Sequence, residues 1–489
     1  MKLSVLLIIL LLSGSGYSQS NFYKQYSSNG YDFGQGIVEL PDSSYVITGA
    51  SSGFQDGPSQ MFLLKLDSLG DYVWSHHYGG SETDWGRRVK HIANDGFFVG
   101  GYTNSSGNGA YDFALWKISE NGTEEWFNTY GTSGWERMHD MALTADNGLI
   151  LVGETNNTAD GLTDIYIVRI DYNGTVLWEE QIENPGNDNA LTIQMFDDST
   201  FIIGGYFYNN LTNFKQAWLT RMQDDGTQLW NHISGDNYHY EIADLEIDLS
   251  SQKIYGVGGK INASLDQSQL YVLITDASGA IIHSTTQNNN KEAGVGITTH
   301  NSSGRFAVCT SNSGEFSYGK EDLFFFSFTY NGDYFSTLGT VQYISTQVLG
   351  EIITTYNNGA IAVGYNEDIG PGGSSIFAIR MGKDQPYISS NDDFSTNPLV
   401  SIETVGNNLE IVVYPNPASD QLTISSFSGS SSDIAISLID VVGKEILTTK
   451  ASSLQETRVD INTVSTGIYV LVIRNSAQEI IYNQKIEVK

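Results

Sequence analysis

The stretch Phe22–Gly34, FYKQYSSNGYDFG, returns as Trp74–Gly86, WSHHYGGSETDWG, and the pair decides the fold. Phe22 and Trp74, Tyr26 and Tyr78, Asp32 and Asp84, and Gly34 and Gly86 are each 52 residues apart. Each copy is a short strand, a small-residue turn and an Asp-aromatic-Gly start, which is the junction between two units of a repeat. The first copy stands near the beginning of the chain. It therefore reads as the last strand of a unit whose other strands lie elsewhere.

Working outward, the apolar strands YVITGAS, FFVGGYT, LILVGET, FIIGGYF, IYGVGGK, FAVCTSN and AIAVGYN align on Gly49, Gly101, Gly153, Gly205, Gly258, Thr310 and Gly364. Their steps are 52, 52, 52, 53, 52 and 54 residues. The next two strands repeat as LLKLDSLGDYVW, LWKISENGTEEW, IVRIDYNGTVLW and LTRMQDDGTQLW, with Trp74, Trp126, Trp178 and Trp230 in register. Glycines at 70, 122, 174, 226, 279 and 332 suit hairpin turns that need positive φ. Four short strands per unit of this length predict propeller blades. The expected fold is all-β: a seven-bladed β-propeller over residues 19–384, then a small C-terminal β-sandwich. The seventh unit, EIITTYNNGAIAVGYNEDIGPGGSSIFAIRMGKD, stops after its third strand. Phe22–Tyr26 supplies the fourth, so the N-terminal strand closes the ring and removes an open sheet edge.

The first residues, MKLSVLLIILLLSGSGYSQS, pair one lysine with an apolar run and small residues. They read as a signal peptide over 1–18, cleaved after Ser18. That run is too short to span a membrane, and no transmembrane segment is expected elsewhere. Cys309 is the only cysteine, so no internal disulfide supports the fold. Fifty-six acids against 24 Lys plus Arg give a net charge of −32, which disfavours nucleic acid and anionic membranes as partners. Cations, neutral glycans and basic proteins remain compatible with it.

The Asp-aromatic-Gly starts (DFGQGI, DWGRRV), the V-x-G strand ends and the Lys-Leu/Ile…Gly hairpins resemble the bacterial propeller repeats called SBBP repeats, over about residues 21–384. That resemblance implies a fold and leaves function open. Residues 385–408 are polar without strand periodicity and read as a linker. Residues 409–489 hold alternating segments in IVVYPNPASDQLTISS, AISLIDVVGKEIL and TGIYVLVIRNS. Their motifs, YPNP with Pro415, Asn416 and Pro417, DVVGK with Gly443 and Lys444, TGIYVLVI with Gly467 and Tyr469, and the ending KIEVK, resemble the type A C-terminal sorting domain of the type IX secretion system of Bacteroidota. The resemblance implies export across the outer membrane, with the secretion machinery and a surface sortase as partners. The cargo would then be attached to lipopolysaccharide or released.

One loop face is long and rich in Asn, Asp, Gly and Ser, where functional residues gather on propellers. Five residues before each anchoring apolar residue of the first strand stands an acid: Asp32, Asp84, Glu136, Asp188, Glu241 and Glu292, with Gln347 in the seventh unit. These are candidate ligand- or cation-binding residues, calcium being the cation that wants such oxygen ligands. The alternative is structural: Lys65, Lys117, Arg169, Arg221 and Arg380 recur in the third strands, so acids and bases would pair blade to blade. Aromatics Phe54, Tyr102, Tyr111, Tyr206, Tyr208, Phe214 and Tyr318 in or beside the loops are candidate sugar platforms, or else loop packing. No catalytic residue is assigned, since no zinc, nucleophile-elbow or phosphate-loop motif occurs. The expected function is a non-catalytic binding module for polysaccharide or a surface protein, with no established cofactor. A carbohydrate-active enzyme, for which Glu154 and Asp368 are off-pattern carboxylates, and a structural surface-layer component are the alternatives.

Overall fold

The computed structural model describes residues 21–54, 57–158, 161–262, 268–287, 292–300, 304–311, 322–329, 334–341, 346–367, 373–382, 393–398, 411–414, 418–426, 434–440, 445–451, 457–474 and 480–489. The expected signal peptide lies outside them. So do Tyr318, Asp368, Pro415, Asn416, Pro417, Gly443 and Lys444 of the expected sites. The chain divides into two compact units, Met1–Leu399 and Val400–Lys489. Every regular element among the described residues is a strand.

The first unit is a β-propeller. Its first six sheets are antiparallel and taken in chain order. Sheet one holds Asp32–Glu39, Tyr45–Ser51, Gln60–Leu66 and Tyr72–Tyr78. Sheet two opens with Asp84–Ile92, sheet three with Glu136–Leu143 and sheet four with Asn189–Asp197. Sheet five opens with the broken pair His239–Tyr240 and Asp244–Asp248, sheet six with Glu292–His300 and sheet seven with Gln347–Thr354. These first strands touch one another in sequence, and Gln347–Thr354 touches Asp32–Glu39. In sheet seven, Ser374–Met381 pairs antiparallel with Phe22–Ser27, Phe22 standing opposite Arg380.

Packing between sheets repeats as the sequence does. The Tyr78 hydroxyl donates to the Gly122 carbonyl at 2.7 Å and Tyr130 to Gly174 at 2.9 Å, each joining an outer strand to the next sheet's hairpin. Tyr26 makes the same bond to Gly70 at 2.6 Å, with the same 44-residue offset. The strand Phe22–Ser27 thus contacts sheet one as an outer strand contacts its successor. The hairpin glycines do adopt positive φ, 85° at Gly122 and 81° at Gly279. A Cβ on Gly279 would meet the Trp230 ring at 2.8 Å, so the repeated tryptophans pack over the next hairpin. In the sixth unit the position aligned with the glycines is Cys309, which faces Gly294 in register; the sequence alignment had placed it one residue later, at Thr310.

The stretch 385–408, expected to lack strands, contributes Asp393–Pro398. It runs parallel to Phe22–Ser27 on the side away from Ser374–Met381, occupying an edge that alternation alone does not mark. A proline is tolerated there because an edge strand has N–H groups outside the ladder.

The second unit has two sheets: Ile411–Tyr414 with Gln421–Ser426 and Thr457–Asp460, and a four-stranded sheet in which Ile434–Asp440 and Gly467–Arg474 are central. Leu422, Ile424, Ile436, Leu438, Leu471, Ile473 and Ile486 from both sheets share one buried cluster. Gly467 begins a central strand, and buried Tyr469 donates to the Ser465 carbonyl at 2.9 Å.

Candidate functional site

The six repeated acids do not converge. Asp32, Asp84 and Glu136 each clamp the turn ahead of their strand to the second strand of the same sheet. Asp84 accepts from the Gly80 amide at 2.8 Å, Thr103 Oγ1 at 2.5 Å and Ser105 Oγ at 2.7 Å. Glu136 accepts from the Thr132 amide and hydroxyl and from Thr155 at 2.6 Å. Asp32 accepts from Ser28 and from Ser51, and burial pushes its carboxyl up against those bonds. Asp188 accepts from the Tyr208 amide at 2.7 Å, Glu241 binds Lys215 at 3.3 Å, and Glu292 begins its strand. Gln347, the neutral member, accepts from the Leu323 amide at 3.3 Å. Among the described residues no group of three or more acidic, His or Cys side chains is placed to hold a metal.

Among the described residues, the expected pairing of these acids with the third-strand bases does not form. Asp32 faces Ser51, which faces Gln60, whereas Lys65 lies five residues further along that strand. At roughly 3.3 Å per residue the two charges are about 17 Å apart, at opposite ends of the sheet. The bases instead bind acids of the opposite turns. Lys117 reaches Asp95 and Glu125 at 3.2 Å, Arg169 lies between Asp146 at 2.9 Å and Asp224 at 2.7 Å, and Arg221 reaches Asp197 at 2.8 Å. Arg169 does join sheet three to sheet four, so ionic pairing between sheets exists with other partners. Arg380 donates to the Tyr45 hydroxyl at 2.9 Å.

What the loop end of the first strands does bring together rests on a repeated β-bulge. Ladder pairing slips between Gly34 and Gly36, Gly86 and Arg88, Met138 and Asp140, Ala190 and Thr192, Gly294 and Gly296, and Leu349 and Glu351. A bulge leaves one residue out of the ladder and re-aims it. In sheets one to three the bulged residues are Gln35, Arg87 and His139. They form a rail across three sheets: Arg87 Nη1 donates to Gln35 Oε1 at 2.7 Å, and Arg87 Nη2 lies 3.4 Å from His139 Nδ1. His139 Nε2 stands 3.5 Å from Glu154 Oε1, and Asn189 Nδ2 donates to Glu154 Oε2 at 3.0 Å. Burial, reinforced by Arg87 and Arg88 against the pull of Glu154, lowers the His139 pKa and keeps the imidazole neutral.

Aromatic rings flank this rail. Phe33 stacks on Trp85 at 5.0 Å and meets Tyr365 edge-on at 4.9 Å. Trp85 stacks on Tyr102 at 6.0 Å, and Tyr102 meets Tyr111 edge-on at 5.6 Å. The exposed Arg137 guanidinium lies 4.9 Å from the Trp135 ring, 5.2 Å from Tyr111 and 5.9 Å from Tyr102. Trp85, Tyr102, Tyr111, Trp135 and Tyr365 are all partly exposed. Further round, Lys215 Nζ sits 3.7 Å over the Tyr206 ring. The platform therefore contains Tyr102, Tyr111 and Tyr206 from the sequence reading. Phe54 is buried against His77 at 4.5 Å and is packing. Phe214 meets His239 edge-on, and Tyr208 lies beside Gly186. Arg87, His139, Trp85 and Arg137 escaped the sequence reading, although their 52-residue offsets were a usable signal.

Beyond the bulges, the first strands line a polar cavity of about 290 Å³ containing Arg88, Asp140, Asp244, Glu246 and Glu351. Here carboxylates do join neighbouring sheets. Asp140 accepts from the Ile193 amide at 2.9 Å, Asp244 from Ile297 at 2.9 Å and Glu351 from Ile37 at 2.7 Å. Arg88 binds Asp140 at 3.0 Å and lies 3.7 Å from Glu351. Burial pushes the Asp244 carboxyl up to about 7, with Asp140 adding to the rise and two backbone amides and Arg88 opposing it.

Residues 412–489 match the family described as the secretion system C-terminal sorting domain. That domain directs type IX secretion, and the protein is exported to the cell surface or the extracellular space. A curated relative, an uncharacterized WD repeat-containing protein of Acanthamoeba polyphaga mimivirus, is 25% identical over 199 residues, covering 32% of this chain and 14% of that protein. The chain thus spans about one seventh of the length of that relative. Among solved structures, Sqt1 of Chaetomium thermophilum bound to the N-terminus of ribosomal protein L10 is 10% identical, with a TM-score of 0.43 over 73% of this chain and 99% of that one. The polysaccharide lyase Uly1 is 9% identical, with a TM-score of 0.46 over 75% and 98%. The β-propeller domain of the Trilobed protease of Pyrococcus furiosus is 9% identical, with a TM-score of 0.43 over 76% and 98%.

Proposed function

We propose that this protein is a surface or extracellular binding module for polysaccharide. Its propeller, residues 19–384, has seven blades, the last completed by the N-terminal strand. The ring of contacts between first strands and the Tyr26 bond to Gly70 support that count and that closure. The C-terminal domain engages the secretion machinery, and a surface sortase removes it from the cargo. Asp32, Asp84, Glu136 and Asp188 fasten the loop ends through hydroxyl and amide donors, and those bonds support a structural role over calcium binding.

The observation that carries the binding reading is the row of partly exposed rings Phe33, Trp85, Tyr102, Tyr111 and Trp135 beside the polar rail Gln35–Arg87–His139. Partly exposed rings suit the apolar faces of sugars, and adjacent amides, imidazole and carboxylate suit their hydroxyls. A glycan array probed with the full chain, with and without calcium, tests it. Binding that is lost in Trp85→Ala and indifferent to chelator is the expected outcome. No binding to any glycan refutes it. The enzymatic alternative draws on one observation, the His139–Glu154 contact, a neutral imidazole beside a carboxylate as in general acid–base pairs. Release of new chain ends from a bound polysaccharide, abolished by Glu154→Gln, would favour that alternative.

A further inference from the structure

The charge around the platform runs against that of the molecule. In a chain of net charge −32, several basic side chains find an acid nearby, while Lys260 lies over the Tyr238 and Tyr240 rings. Lys24, Arg88, Lys117, Arg169, Lys215 and Arg221 each contact a carboxylate. Arg87 and Arg137 contact none among the described residues. Arg87 is held by Gln35 and His139, both uncharged, and its buried Nε has no hydrogen-bond partner among the described residues. Burial and the neighbouring Arg88 charge depress its pKa, so an incoming anion would relieve a real electrostatic cost. Arg137 stands opposite Glu154 in the ladder, where a salt bridge could form. It leans instead over Trp135, Tyr111 and Tyr102, while Glu154 is held by Asn189 and His139. Both guanidiniums act on Tyr102, whose phenol is raised by burial and pulled back by their charges. Arg137 lies 5.9 Å from the Tyr102 ring, and Arg87 stands two residues from Trp85, which faces Tyr102 in the ladder.

Resting on the polysaccharide reading above, we infer that the platform between Arg87 and Arg137 takes a carboxylate-bearing sugar, so that the ligand is a uronate-containing polysaccharide. A uronate offers a ring face for Tyr102 and Trp85 and a planar carboxylate for a guanidinium fork, the pairing that arginine serves best. The net charge does not forbid this anion. At physiological salt, fields from exposed charges fade over about 8 Å, so the site's own charges decide what binds there. The expectation from net charge alone, a neutral glycan, is thereby replaced.

The test measures binding of the full chain to polygalacturonate and to the same polymer after carboxyl reduction, which keeps the sugar backbone and removes the charge. Polygalacturonate should bind about tenfold or more tighter than the reduced polymer, in line with a charged hydrogen-bonded contact. Arg137→Gln should remove most of that preference. Lys450→Gln, which makes the same change of net charge on the other unit, should leave it intact. Arg137 is exposed, so its variant folds; Arg87→Lys then asks whether a charge without the fork suffices, and is expected to weaken binding. Equal affinity for the two polymers, or an Arg137→Gln protein that still prefers the charged one, overturns the uronate assignment and leaves a neutral-glycan module standing. Failure to bind either polymer, or any other glycan on the array, overturns both.

Discussion

Asp244 provides a quantitative test of the channel. Its carboxyl sits among Thr192, the Ile297 and Leu245 amides, Asp140 and Arg88. Its pKa is raised from an ordinary 3.8 to about 7. A raised carboxyl pKa means that the folded state holds a proton that the unfolded chain releases. The associated stability is fully present below the unfolded value and is lost as pH climbs towards 7. Linkage puts the loss between pH 5 and pH 8 at about 2–3 kcal/mol, because roughly two pKa units of proton affinity remain above pH 5. In Asp244→Asn this titration is absent. The variant keeps one acceptor oxygen for three donors, so it starts from a penalty. That penalty should shrink by about 2–3 kcal/mol between pH 5 and pH 8. Urea unfolding followed by tryptophan fluorescence is the assay, since all eight tryptophans lie in the first unit and report on the propeller alone. A penalty that stays constant with pH refutes the buried, protonated Asp244.

Other perturbations address the joints between sheets and the loop clamps. Tyr78→Phe removes the hydroxyl that satisfies the Gly122 carbonyl and should lower stability by about 1–2 kcal/mol in the same unfolding assay. Asp84→Ala strands one amide and two hydroxyls, with an expected loss of about 2–4 kcal/mol. Calcium should not shift the melting temperature of the parent protein, and a calcium-dependent rise lost in Asp84→Ala would restore the cation reading of the acids. Deleting residues 19–30 removes the strand between Ser374–Met381 and Asp393–Pro398, so the protein should melt lower and scatter light. A truncated protein that stays monomeric with an unchanged melting temperature would show that this strand is dispensable.

The propeller was legible because each sheet repeats the same strand and turn chemistry at nearly constant spacing. Glycine at the hairpins and tryptophan on the outer strands mark that spacing even without alternation. The acids were legible as a set, but their partners were not. Periodicity places a residue along a strand without saying which end faces which turn, and Asp32 and Lys65 share a period from opposite ends. The rail was hidden for another reason. A bulge changes which way one residue points and leaves no mark on composition, so Gln35, Arg87 and His139 look unrelated as residue types. Only the odd spacing from acid to anchoring residue, Asp32 to Ile37 or Asp84 to Val89, carries its trace. Asp393–Pro398 was invisible because a strand that joins an existing edge needs only backbone groups.

The arrangement of sheet seven has a consequence for the order of events in biosynthesis. Each of the other sheets is assembled from one uninterrupted run of chain and can form as soon as that run has emerged. This one unites residues 22–27 with 347–381 and 393–398, the two ends of the propeller. Its loop-closure entropy falls due once, at the end, after nearly four hundred residues are in the same compartment. Until then the earliest strand is an unpaired edge, available to any β-adding companion. A chain interrupted before Ser374 therefore leaves Phe22–Ser27 without either of its neighbours, Ser374–Met381 and Asp393–Pro398.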